Sequence, residues 1–273
     1  MNNKIKIIKM GKFFTVDVIP DVVDGDVSDI VDGSKNGVDI GAGEIVFDWT
    51  AVDVPKGGCM LRSISVFVNG ENGAYGSGSL TNYELAFAKS VDGVNPPTLG
   101  DNNAAQTGCF GLRHHYVGSM ILDSTTVKAT LPGLAFGVGF IPGSNGAGDY
   151  NNGLPLVIDL EPSSGTNVGY DKLFVAAFQT SPRHYGTDVL VNGAIDADVD
   201  NTKEVVVDGV DARKIFSVGD QVYFYNNDTP VGSTLAKVEE LKLTFKENID
   251  IDLGNNGELV NANPIRIKLG FEK

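Results

Sequence analysis

The sequence predicts an all-β protein, a jelly-roll-like β-sandwich followed by a small C-terminal β-barrel or β-sheet domain. Three observations predict it. Asn-Gly and Asp-Gly pairs punctuate the chain, at Asp24, Asp32, Asn36, Asn69, Asn72, Asp92, Asn145, Asn152, Asn192, Asp208 and Asn256. Both residue types tolerate positive φ, which tight two-residue hairpin turns demand. Between these turns, apolar residues recur with period two, and segments with the helical period are nearly absent.

The alternation is clearest in two places. Ile64, Val66 and Val68 alternate with Ser63, Ser65, Phe67 and Asn69, and Leu241, Leu243 and Phe245 alternate with Lys242, Thr244 and Lys246. Each pattern predicts a strand with one buried face. The glycine- and asparagine-rich stretches 70–79 and 143–153 are too polar to pack as core and are expected to be surface loops. A change of composition over Asp196 to Asn201 leads into closely spaced short strands, expected over 204–207, 214–216, 221–225, 237–245 and 265–271. The chain therefore divides into 1–44 as an N-terminal arm or edge strands, 45–195 as the sandwich, and 196–273 as the small barrel.

At 273 residues the chain is long enough to bury a core without disulfide or metal staples. Its two cysteines, Cys59 and Cys109, read as small buried hydrophobes. The Lys4 to Lys12 stretch interleaves charge with Ile5, Ile7 and Ile8, so neither a secretory signal nor a membrane span is expected. With 21 basic against 35 acidic residues, the formal charge of -14 repels phosphates and argues against a nucleic-acid partner. Proteins or sugars are the partner classes left.

Two groups of motifs resemble known structural modules. The central group comprises Asp53-Val-Pro-Lys-Gly-Gly, the strand from Leu61 to Asn69, Tyr83-Glu-Leu-Ala-Phe-Ala-Lys-Ser, Thr98-Leu-Gly-Asp-Asn-Asn-Ala, Tyr116-Val-Gly, Leu154-Pro-Leu and Lys172-Leu-Phe-Val-Ala-Ala-Phe. Over residues 45 to 192 it resembles a recurrent β-sandwich of bacteriophage virion proteins. The second group is Phe216-Ser-Val-Gly-Asp-Gln-Val-Tyr-Phe, Pro230-Val-Gly-Ser-Thr-Leu-Ala-Lys-Val and Leu241-Lys-Leu-Thr-Phe-Lys-Glu-Asn-Ile. It is similar to small β-barrel modules of phage head and tail proteins. The resemblance implies a non-enzymatic virion protein without cofactors, made in the host cytoplasm and carried on the capsid surface. The implied role is capsid decoration (cement), with the major capsid protein and further copies of the chain as partners. Decoration proteins of this kind are often trimers at local threefold positions.

Candidate contact residues follow from charge and exposure. Lys4, Lys6, Lys9 and Lys12 make a basic segment on an acidic chain, suited either to pairing with an acidic neighbour's sheet edge or to forming the protein's own first strand. Tyr75, in a glycine-rich loop, is a candidate for an interface contact or for stacking on a sugar ring. A tail or fibre component with host-glycan binding, and a carbohydrate-active enzyme on the same scaffold, are the alternatives.

Metal and catalytic motifs are incomplete. Asp196, Asp198 and Asp200 begin like a calcium loop, but Asn201 replaces the required glycine and Val207 the bidentate glutamate. Asp21, Asp24, Asp26, Asp29 and Asp32 have no ligand period and read as an exposed loop or edge. Cys59, Cys109 and one imidazole of His114 or His115 could hold zinc, but the usual short cysteine pairs are missing. Adjacent histidines on a strand would point to opposite faces, so both could not bind one ion without local distortion. His184 reads as a loop residue. No nucleophile elbow, P-loop or dinucleotide fingerprint is present in the sequence.

Overall fold

The structure is a computed structural model that describes residues 12–22, 38–69, 83–107, 110–122, 127–131, 134–139, 156–160, 170–180, 183–185, 190–193, 202–208, 211–225, 231–249, 252 and 257–273. In the first half the strands are β1 (Phe13–Val18), β2 (Val38–Ile40), β3 (Ile45–Pro55), β4 (Cys59–Asn69), β5 (Tyr83–Lys89), β6 (Tyr116–Leu122), β7 (Val127–Leu131) and β8 (Leu134–Gly139). They continue with β9 (Leu156–Ile158), β10 (Tyr170–Gln179), β11 (Arg183–Tyr185), β12 (Leu190–Val191), β13 (Glu204–Asp208), β14 (Gln221–Tyr225), β15 (Val231–Glu239), β16 (Lys242–Phe245), β17 (Glu258–Asn261) and β18 (Ile265–Glu272). The protein is all-β, with short 3-10 turns at Leu112–His114 and Ala212–Lys214.

Two antiparallel sheets face each other. One runs β1-β18-β4-β8-β7 with β9 also on β4, and the other runs β3-β10-β5-β6. In the first, β1 and β18 from the two ends of the chain lie side by side, and in the second β3 lies beside β10. This order, with β7 and β8 counted as one hairpin position, is that of a jelly roll, in which the chain folds back on itself as a long hairpin wrapped across two sheets. Inward side chains of both sheets, among them Ile64, Val66, Ile267, Leu269 and Phe271 from one and Phe47, Leu85, Phe87, Leu173 and Val175 from the other, form one core. The expected face of β4 is as read from the sequence, with Ile64, Val66 and Val68 all buried.

Strand β10, inside the second sheet, is buried on both faces. In β10 every residue from Leu173 to Gln179 is buried, because Ala176 and Phe178 pack outward with Ile45, Ala86 and Leu99 into a separate apolar cluster. Trp49 and Leu112 close that cluster from outside. A continuous apolar run is what a strand covered on both faces requires.

Strands β12-β13-β16-β15-β14-β17 close into a barrel. Val205, Val207, Val222, Phe224, Leu235, Leu243, Phe245 and Leu259 fill its interior, and the Phe224 and Phe245 rings meet at 5.0 Å. A barrel this small is occupied by its own side chains.

The chain divides differently from the sequence-based expectation. The barrel starts at Leu190 and ends at Asn261, and residues 265–272, expected within it, return to the sandwich between β1 and β4. The barrel is thus an insertion in the last connection of the jelly roll. Within 1–44, expected as an N-terminal arm or edge strands, β1 is an edge strand of the sandwich, with all six residues paired to β18, and β2 pairs with β11 in a separate two-stranded sheet. The pattern of β18 suits either location, because alternation specifies a buried face and not the partner that buries it.

Three further local differences have simple causes. The expected strand 237–245 is two strands, with Glu240 and Leu241 in the turn between β15 and β16, so Leu241 is exposed. Residues 214–216 do not form a strand, because Asp211 accepts a hydrogen bond from the Arg213 amide and caps the 3-10 turn. His184 lies within β11, where a loop was expected.

Candidate functional site

Of the candidate contact residues, Lys12 is described. Its side chain is exposed, and its backbone exchanges hydrogen bonds with Lys273 at 3.0 and 2.9 Å, extending the β1–β18 ladder. Lys12, the described end of the basic segment, thus lies immediately before β1. Lys4, Lys6, Lys9, Tyr75, Asp196, Asp198 and Asp200 lie outside the described residues, as do Cys109, Asp24, Asp26, Asp29 and Asp32. Among the described residues no three His, Cys, Asp or Glu side chains are grouped to hold a metal ion.

The Thr98-Leu-Gly-Asp-Asn-Asn-Ala motif is a structural brace along the start of β3. Asp48 accepts from the Leu99 amide at 3.1 Å and the Thr98 hydroxyl at 2.6 Å, while the Asp48 amide donates to Asn102 Oδ1 at 3.0 Å. Ile45 exchanges backbone bonds with Asn103 and Ala104, and Trp49 Nε1 donates to the Pro97 carbonyl. Short turn chemistry and one aspartate thus cover a sheet edge and seat Leu99 in the outer cluster. Asp48→Ala leaves the buried Leu99 amide without its acceptor, at a cost of roughly 1–3 kcal/mol. A lower Tm and faster hydrogen exchange at Leu99 than at the β5 amides are expected.

A second polar cluster joins barrel to sandwich. The buried Asp220 carboxylate accepts from the Ser217 amide at 2.7 Å, from Asn261 Nδ2 at 3.0 Å and from Arg266 at 2.6 Å. Asn263 accepts from the Gln221 amide at 2.7 Å and donates to the Pro20 carbonyl at 2.8 Å. Asp21, expected in an exposed loop, accepts from Tyr223 at 3.4 Å and takes part in the same seam through its side chain. Every polar group of this cluster is directed at the protein itself, so its role is to fix the inserted barrel.

Cys59 is a free, buried thiol. Burial pushes its pKa up, opposed by the nearby Lys273 charge and reinforced by Asp171. A raised pKa leaves little thiolate, the reactive form. In a Cys109→Ser background, Cys59 is expected to resist thiol reagents at neutral pH until denaturant is added, and rapid labelling of the native protein would contradict this placement.

One feature was missed in the sequence. Gly111, at φ 89, opens the 3-10 turn Leu112–His114 that leads into β6. Leu112 packs into the outer cluster while Phe110 is 92% exposed. Arg113 and His114 are exposed on the same turn. The turn is pinned by Lys89, whose amide donates to the His115 carbonyl at 2.8 Å and whose own carbonyl lies 2.9 Å from His115 Nδ1. The signal available in the sequence was electrostatic. Acidic residues number 35 in 273, about one in eight, yet none occurs between Asp101 and Asp123. The two histidines sit on this turn and not on a strand, and the His115 ring lies against a backbone carbonyl, that of Lys89.

Searches of family models, of curated proteins and of solved structures give no match to this chain.

Proposed function

We propose that this chain is a bacteriophage virion structural protein, a capsid decoration or cement protein that binds the assembled major capsid lattice and stabilises it. The reading rests on the two motif groups that resemble phage modules. The single structural observation that favours it is the jelly-roll strand order with a closed barrel inserted before the last strand. Jelly rolls recur in capsids, and also in lectins and cupins, so the fold narrows the class without fixing the use. Two antiparallel β modules joined through a buried polar seam suit a protein that must hold its shape while bound to a lattice.

Quantitative mass spectrometry of purified particles tests the proposal. A copy number commensurate with the major capsid protein is expected, together with shells that rupture at lower temperature and milder osmotic shock when the protein is removed. A handful of copies per particle, or shells equally robust without it, would move the protein to the tail or fibre and promote the glycan-binding alternative. Strong, competable binding on a glycan array would then be the matching observation.

A further inference from the structure

We infer that Asn192 is a site of spontaneous covalent modification, at which the Asn192-Gly193 pair deamidates in the folded protein and passes through a cyclic imide to aspartate and isoaspartate. The sequence supplies the chemistry. The backbone nitrogen of Gly193 attacks Cγ of the Asn192 side-chain amide, an N–Cγ bond forms, and the Cγ–Nδ2 bond breaks. The nitrogen's proton leaves with the departing group as ammonia. Water then opens the imide at either carbonyl, its hydroxyl going to the carbon and its hydrogen to the ring nitrogen. Water is the only co-reactant. Glycine favours the attack because no Cβ shields its nitrogen.

The structure decides whether the pair can reach that geometry. Asn192 and Gly193 are both exposed. Gly193, at φ 101, has no atom within 4 Å of the position that a Cβ would take, so the reacting bond is open to water. The pair directly follows β12, at two residues the shortest strand of the barrel. A strand end of this kind opens locally far more readily than the core. The Asp92-Gly93 pair is the contrast. It would form the same imide, with water leaving in place of ammonia, but Val91 and Val94 exchange two backbone bonds of 2.9 Å across it and Asp92 is held at φ 51.

The position gives the reaction a structural effect. The Val191 amide donates to the Gly257 carbonyl at 2.8 Å and the Asn192 amide to the Val206 carbonyl at 2.9 Å, joining β12 to both of its neighbours, β13 and β17. Isoaspartate carries the chain onward through its side chain, which places one extra main-chain atom directly after these bonds. Either product also adds a negative charge to a chain already at -14. Modification therefore loosens the closure of the barrel. The inference is independent of the virion reading.

Incubation of the full-length protein in heavy-oxygen water at mildly alkaline pH, folded in one sample and unfolded in urea in another, tests it. Each passage through the imide leaves one heavy oxygen, read by mass spectrometry of peptides. With each rate divided by its own rate in urea, Asn192 is expected to exceed Asp92 by on the order of tenfold or more, because the Asp92 turn must first open. Asn192→Gln, whose larger ring closes more slowly, should abolish the label at that position with unaltered Tm. After ageing, hydrogen exchange at the Val191 and Asn192 amides should quicken in the parent, while the Gln variant's exchange at the same two positions stays as it was. An unlabelled Asn192 in the folded sample, or one as protected as Asp92, would overturn the site. Equal exchange at β12 in the aged parent and the aged variant would overturn its effect on the barrel.

Discussion

A chain ending at residue 263 is expected not to fold, although it would retain the whole of 45–195 and every strand of the barrel. Strand β18 lies between β1 and β4, paired to both, so its loss removes two ladders and leaves β1 without a partner. Four of its side chains, Ile265, Ile267, Leu269 and Phe271, are at most 1% exposed. At about 1.5–3 kcal/mol for each buried large apolar side chain, their removal costs roughly 6–12 kcal/mol, which is comparable with the whole stability of an ordinary domain, about 5–15 kcal/mol. Phe271, stacked on Phe14 at 5.1 Å, gives the point-mutant version of the same test. Phe271→Ala should cost about 3–5 kcal/mol. Circular dichroism and a thermal melt check both, and a truncated chain with a cooperative melt near that of the parent would refute the placement of β18.

The second large effect belongs to the seam. Asp220→Ala removes the acceptor shared by Ser217, Asn261 and Arg266, and leaves the first two with unmet donors in a buried setting. Arg266→Ala leaves the Asp220 carboxylate, whose side chain is 1% exposed, without its counter-charge. Removing the counter-charge of a buried ion costs about 3–5 kcal/mol, which applies to Arg266→Ala. The Arg266 that Asp220→Ala leaves is 41% exposed and keeps its hydration, so that variant costs instead roughly 1–3 kcal/mol for each unmet donor. The part of the Arg266 side chain open to solvent and the two surviving donors to Asp220 place Arg266→Ala at the lower end. The double variant should be less destabilised than the sum of the singles, because Asp220→Ala removes the orphaned carboxylate that Arg266→Ala creates. Additive losses in urea melts would show that the two groups act separately.

The elements legible in the sequence were those whose physics is local. Asp92 and Gly93 adopt φ of 51° and 78°, and Val91 and Val94 close the turn with two bonds of 2.9 Å, as the Asp-Gly pair predicts. Strand β14 occupies 221–225 as read, and β4 buries the alternate residues expected of it. The turn at Glu240 and Leu241 was invisible because it uses none of the residues that usually mark a turn. The assignment of 265–272 to the barrel failed for a different reason, since a strand's neighbours are set by long-range register that a single pattern does not encode.

The same division holds at the sites. The Thr98 to Ala104 motif was recognisable as a motif, but its purpose emerged only once Asp48 was seen beneath it. The Asp220–Arg266 pair joins residues far apart in the sequence, and neither has a spacing signal. Asp21 looked like one member of an acidic run, and Tyr223 gives its carboxylate a partner in the seam. The aromatic and basic turn before β6 left a trace only in what its neighbourhood lacks, namely acid.

The most direct test of the proposed role is an icosahedral reconstruction of the particle that carries this protein. The capsid reading predicts, at repeated positions on the outer surface of the major capsid lattice, a two-sheet sandwich with a smaller barrel attached at the end where β18 enters. Its copy number should equal that of the sites it occupies. A lattice fully accounted for by other chains, with this protein confined to the tail or missing from the particle, would contradict it.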